Sequence, residues 1–149
     1  MHVGIINRCL PKAKIILCER EPIDNCFSIY KQKFGVGNDY AYSMQEIGDY
    51  YNLYQDLVDH WDLYLPDKMY KASYEDLTHN QEEQTKKLIK FCDLDWEEGC
   101  ISFHETEREV HTASSVQVRK PMYTSSVNKW ERYKDELKPL LTKLNREKL

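Results

Sequence analysis

No stretch of this 149-residue chain approaches the roughly 18 consecutive apolar residues of a membrane-spanning helix, and its start has no charged-then-apolar leader pattern. The expectation is therefore a chain with no membrane role and a cytoplasmic location. Positive charge is not in excess: 21 Lys and Arg against 25 Asp and Glu leave a net charge of -4. That balance excludes an extended nucleic-acid surface and confines any anion site to a local cluster. The five cysteines, Cys9, Cys18, Cys26, Cys92 and Cys100, are odd in number and form no CxxC pair, so buried, reduced thiols are expected rather than a disulfide framework. The five histidines lack ligand spacing, and no metal is expected. No G-x-x-x-x-G-K-[ST] occurs, which disfavours a P-loop kinase-like phosphate cradle. Internal repeats and low-complexity segments are absent too.

What remains is an ordinary single-domain composition, 41% hydrophobic and 31% charged, long enough for one core. Ala13 to Cys18 is a short, β-branched apolar run that reads as a buried strand of a parallel sheet. Pro22 suits the first turn of a helix and Asp24 complements its dipole, while Phe27, Tyr30, Lys31 and Phe34 carry the helix onward to a break at Gly35 to Asp39. The recurrence of Ile47, Tyr50, Tyr51, Tyr54, Leu57, Val58, Trp61 and Leu65 at three and four predicts a long amphipathic helix from about Ser43 to Leu65, closed by Pro66, with Tyr50, Tyr54 and Trp61 packing in the core. Met69 to Ser73 reads as a second strand, with Asp76 or Thr78 as the cap of the next helical segment, and Gln81 to Cys92 as a further helix with a solvated charged face. The segment from Gly99 to Pro121 is polar, irregular and rich in donors.

The most informative residues are Arg20 to Tyr30, REPIDNCFSIY, at the junction of strand and helix. Ligands in open α/β sheets bind beyond the carboxyl ends of strands, so Arg20 at a strand end and Ser28 on the next helix are placed to converge on one anion. The same residues also allow a local reading, with Arg20 paired to Glu21 or Asp24 and Ser28 merely packed. The residues alone leave both open.

Arg20, Pro22, Asp24, Ser28 and Tyr30 together form Arg-x-Pro-x-Asp-x-x-x-Ser-x-Tyr, which resembles the element by which sulfotransferases bind the 3′-phosphate of 3′-phosphoadenosine 5′-phosphosulfate (PAPS). Tyr74-Glu75-Asp76-Leu77 resembles the family's Tyr-Glu-x-Leu element near the adenine. Thr112 to Pro121 and Trp130 to Tyr133 resemble the cofactor-covering loop and closing helix of bacterial sulfotransferases that often carry tetratricopeptide repeats. The resemblance covers about Pro11 to Leu144.

It implies a PAPS-dependent sulfotransferase: an α/β, three-layer, P-loop-NTPase-like fold in which a parallel sheet is flanked by helices. Arg20, Ser28, Tyr74, Ser114 and Arg119 would bind the cofactor or its product, adenosine 3′,5′-bisphosphate, and Ser115 or Ser114 with Lys120 would stabilise charge at the reacting group, Arg119 being the competing candidate. The implied acceptor is a hydroxyl of a protein tyrosine, a carbohydrate or a small molecule. The family's Pro-[Arg/Lys]-Ser-Gly-[Thr/Ser]-[Thr/Ser] loop, which holds the 5′-phosphosulfate, does not occur in this sequence. Residues 1–149 are accordingly expected to form one partial domain truncated at the N-terminus, inactive alone, completed by an upstream segment or associated as a homodimer. A non-catalytic nucleotide-binding remnant or interaction module is the alternative.

Overall fold

The computed structural model describes residues 2–105, 109, 118–123 and 127–144. Helix α1 (Val3–Cys9) leads into strand β1 (Ile15–Glu19), α2 (Pro22–Lys31), a 3-10 turn (Asp39–Tyr42) and the long α3 (Met44–Tyr64). Strand β2 (Met69–Ser73) runs into α4 (Tyr74–His79) and α5 (Gln81–Phe91). Three 3-10 turns, Glu98–Cys100, Phe103–Glu105 and Lys129–Tyr133, precede α6 (Lys138–Leu144). The architecture is α/β, mostly helical, around a small parallel sheet. No described helix is long and apolar enough to cross a membrane.

β1 and β2 pair in parallel with Ile15 opposite Met69 and Glu19 opposite Ser73. Parallel neighbours need a crossover, which α2 and α3 provide. Ser43 starts α3 as expected, its hydroxyl accepting the Glu46 N–H at 3.3 Å in a Ser-x-x-Glu sequence. The strand at Met69–Ser73 also lies where its alternation predicts.

Several expectations need correction. α2 ends at Lys31 rather than continuing through Phe34, because Gln32 turns to extended backbone and Tyr42 donates its hydroxyl to the Phe34 carbonyl at 2.6 Å. The cap of α4 is Ser73, which accepts the Asp76 N–H at 3.1 Å, not Asp76 or Thr78. Cys18 is exposed, as is Cys9, and Ile16 keeps 43% of its surface in contact with solvent. Alternate residues of β1 therefore face outward on a strand that had read as wholly buried. Tyr50 is exposed and stacks on Tyr40 at 4.2 Å between ring centres instead of entering the core. The Trp130 to Tyr133 segment is a 3-10 turn, not a longer closing helix, and α1 is an element that the sequence did not predict.

The main core joins α2, α3 and the C-terminal segment. Cys26, Phe27 and Ile47 meet Leu137 and Leu140, with Trp130 and Tyr51 packed at its edge. Burial of each large aliphatic side chain contributes on the order of 1.5–3 kcal/mol, so Leu137 and Leu140, both fully buried, fasten α6 to α3. Asn52 adds a side-chain hydrogen bond to the Lys143 carbonyl at 3.0 Å, and Lys143 Nζ lies 2.9 Å from Asp49.

Two substitutions test this packing. A Cβ added at Gly48 would lie 2.5 Å from the Lys143 Cβ, a stem atom that cannot swing away. Gly48→Ala is expected to lower stability by about 1–2 kcal/mol, since overpacking outweighs the roughly 1 kcal/mol gained in helix propensity; urea midpoints measure it. Burial first, and then the charge of Glu21, pushes the Cys26 thiol from 9.0 up to about 12. Above pH 9 the unfolded thiol sheds a proton that the folded one keeps, so this stability is complete below pH 9 and lost as pH rises towards 12. The slope from this group is at most about 1.4 kcal/mol per pH unit. Cys26→Ala should flatten that alkaline loss in urea titrations on either side of pH 9.

Candidate functional site

Because Glu19 stands opposite Ser73 in a parallel register, the next residues along each strand, Arg20 and Tyr74, leave the sheet side by side at its carboxyl edge. The Arg20 guanidinium lies 5.1 Å from the centre of the Tyr74 ring. Each strand then turns directly into a helix. Glu21 caps α2, its carboxylate accepting the Asp24 N–H at 2.8 Å, and its own N–H donates to Glu75 Oε1 at 3.0 Å. The two strand-to-helix turns are thus tied together.

This arrangement places carboxylate at the N-terminus of α2. Burial raises the Glu21 pKa above its usual 4.5, and the neighbouring charges of Asp24 and Glu75 push the same way, against backbone hydrogen bonds from Asp24 and Ile23 that lower it. An anionic ligand would meet these charges at the helix end. The cationic surface lies instead on the flank of α2, where positions 24, 27, 28 and 31 share one face.

A cleft of about 260 Å³ opens along that flank. Arg20, Lys31 and Lys129 supply three cations, Ser28 a hydroxyl, and Phe27, Tyr74 and Tyr123 aromatic walls. Lys31 Nζ sits 4.2 Å from the Phe27 ring centre, and Tyr133 packs on the same Phe27 at 5.1 Å. Asp24 is the one acid in the lining, 2% exposed, and it accepts the Asn128 N–H at 2.6 Å. Asn128, at a left-handed φ of 58°, turns the chain into Lys129–Tyr133. Guanidinium, ammonium and hydroxyl groups around aromatic walls suit a phosphate attached to a planar base.

Among the described residues two other clefts differ in chemistry. A groove of about 460 Å³ at Asn80 to Lys86 is larger, but it carries Glu82 and Glu83 beside a single Lys86. One of about 150 Å³ lies on the opposite side of α2, apolar and built from Cys26, Ile29, Ile47 and four tyrosines. Burial raises the pKa of Tyr51 there to about 12. Neither groups cations as the α2 flank does.

Arg20, Ser28 and Tyr74, expected from sequence to act together, line one cleft. Arg119 and Lys120 are exposed and do not line it. Ser114 and Ser115 lie outside the described residues. Sequence reasoning missed Lys31, Lys129 and Tyr123 as site residues. Lys31 was recoverable, since it lies three positions after Ser28 on a helix. Lys129 and Tyr123 had no local signal, because they reach the cleft through tertiary contact.

Residues 1–98 match the profile of the sulfotransferase family. An uncharacterized protein of Aquifex aeolicus (strain VF5) is 36% identical over 143 residues, an alignment covering 94% of this chain. The chain spans only 19% of that relative's length.

Proposed function

The chain belongs to the sulfotransferase family, and on that premise we propose that it contributes the 3′-phosphate and adenine side of a site that uses PAPS to sulfate a hydroxyl acceptor. The observation that carries this reading is the convergence of Arg20, Ser28, Lys31 and Lys129 beside Tyr74 in one cleft at the carboxyl ends of two parallel strands. In this reading Arg20, Lys31 and Lys129 neutralise the phosphate, Ser28 donates to it, and Tyr74 stands by the base. Ser114 and Arg119 complete the nucleotide contacts, while Ser115 and Lys120 stabilise charge at the reacting group. The two strands form part of a larger three-layer, P-loop-like sheet.

PAPS supplies an activated sulfuryl group. In the transfer the acceptor oxygen bonds to sulfur, the bond from sulfur to the 5′-phosphate oxygen breaks, the acceptor proton passes to a base, and adenosine 3′,5′-bisphosphate leaves. Positioning and cationic donors carry most of such catalysis. The acceptor class is a protein tyrosine, a carbohydrate or a small alcohol. A non-catalytic nucleotide-binding module is the second reading, favoured by the lack of a 5′-phosphosulfate loop of the family type within these 149 residues. Exposed Ile16 and Cys18 on β1 support association with a second copy or a further segment.

Calorimetry with adenosine 3′,5′-bisphosphate tests the cleft. Arg20→Ala is expected to cost about 1.5–3 kcal/mol of binding and Ser28→Ala about 0.5–1.5 kcal/mol. Adenosine 5′-monophosphate, without the 3′-phosphate, should bind more weakly than the bisphosphate. Equal binding by the parent and both variants would remove the assignment. A radiolabelled PAPS assay against phenolic, carbohydrate and peptide acceptors should show no turnover by the 149-residue chain alone; clear turnover would show that binding and transfer do not separate.

A further inference from the structure

Asp24 poses a problem for an anion-binding cleft, because its carboxylate stands in the same lining as Arg20, Lys31 and Lys129. By charge alone it repels a phosphate. Its surroundings indicate a different task. The side chain is 2% exposed, and its Oδ2 accepts the Asn128 N–H at 2.6 Å across 104 positions of sequence. The geometry is that of a short, charge-assisted hydrogen bond.

The bond fixes the start of the C-terminal wall. Asn128 holds the left-handed turn, and the next residue, Lys129, lines the cleft. Trp130 then packs at the core edge, and the Tyr133 ring comes to rest 5.1 Å from Phe27, one helical turn beyond Asp24. Without this wall the lining holds Arg20 and Lys31 against Asp24, a net charge of +1; with Lys129 delivered it is +2.

We propose that Asp24 is a positioning residue for phosphate binding: it clasps Asn128 so that Lys129 faces the cleft, and the oriented ammonium outweighs the repulsion of the carboxylate. The inference rests on the nucleotide reading of the cleft, but the clasp itself has a signature that needs no ligand.

Asp24→Asn separates the alternatives by sign. It removes a negative charge from the lining, so electrostatics alone makes adenosine 3′,5′-bisphosphate bind more tightly, whereas a weakened clasp makes it bind less tightly. The expected result on the full chain is affinity lower by about five- to tenfold, the difference between a charge-assisted and a neutral hydrogen bond. Lys129→Ala should weaken the parent about tenfold, yet have less than about a twofold effect in the Asp24→Asn background, the non-additivity of coupled positions. Hydrogen exchange at the Asn128 amide should also accelerate in Asp24→Asn without nucleotide. If Asp24→Asn does not fold, Asn128→Val serves instead: a β-branched residue is a severe outlier at positive φ and displaces the donor while leaving Asp24 in place. Unchanged or tighter binding by Asp24→Asn, or an additive effect of Lys129→Ala, overturns the proposal. Should the parent bind no bisphosphate, the function reading falls, and the clasp is decided by exchange alone; unchanged Asn128 protection overturns it.

Discussion

The parallel pairing of β1 with β2 is the constraint on which the candidate site depends. With Glu19 set against Ser73, the register fixes which residues leave the sheet together, and these are Arg20 and Tyr74. A slip of one residue would send the side chains of a strand to its other face. The hydrogen bond from the Glu21 N–H to Glu75 repeats the pairing beyond the sheet, so both strand-to-helix turns are joined there.

From that fixed edge, α2 works as a partition. Its flank at Asp24, Phe27, Ser28 and Lys31 faces the cationic cleft, and its other side, at Cys26 and Ile29, faces an apolar, tyrosine-lined one. A single ten-residue helix thereby separates two environments of opposite character. The acidic cap of this helix gives the partition a direction, because carboxylates at its N-terminus leave the basic flank as the favourable surface for an anion.

How much of this was legible depended on the range of the interactions. The recurrence of apolar residues from about Ser43 marks α3 locally, and the alternation of Met69–Ser73 marks a strand locally. Arg20 and Ser28 were legible as a pair because a strand end and the helix that follows it bring them together. The placement of Tyr74 came from the resemblance of its neighbours to a known element, and the parallel register accounts for it physically. The exposure of Cys18 was not legible, since an apolar run says nothing about which face finds a partner. Lys129 was hidden for a stronger reason: it follows Asn128, whose N–H is bonded to Asp24, 104 positions away in sequence.

The docking of α6 bears on the cleft in one further way. Leu137 and Leu140 are anchored in the core, and Asn128 is anchored to α2. Lys129, which lines the cleft, therefore lies between two anchored points of the chain. Helix packing at Gly48 and Leu140, residues outside the cleft lining, is therefore connected along the chain to a cation that lines it. The packing of α6 and the lining of the cleft thus share one stretch of chain, from Asn128 to Leu140.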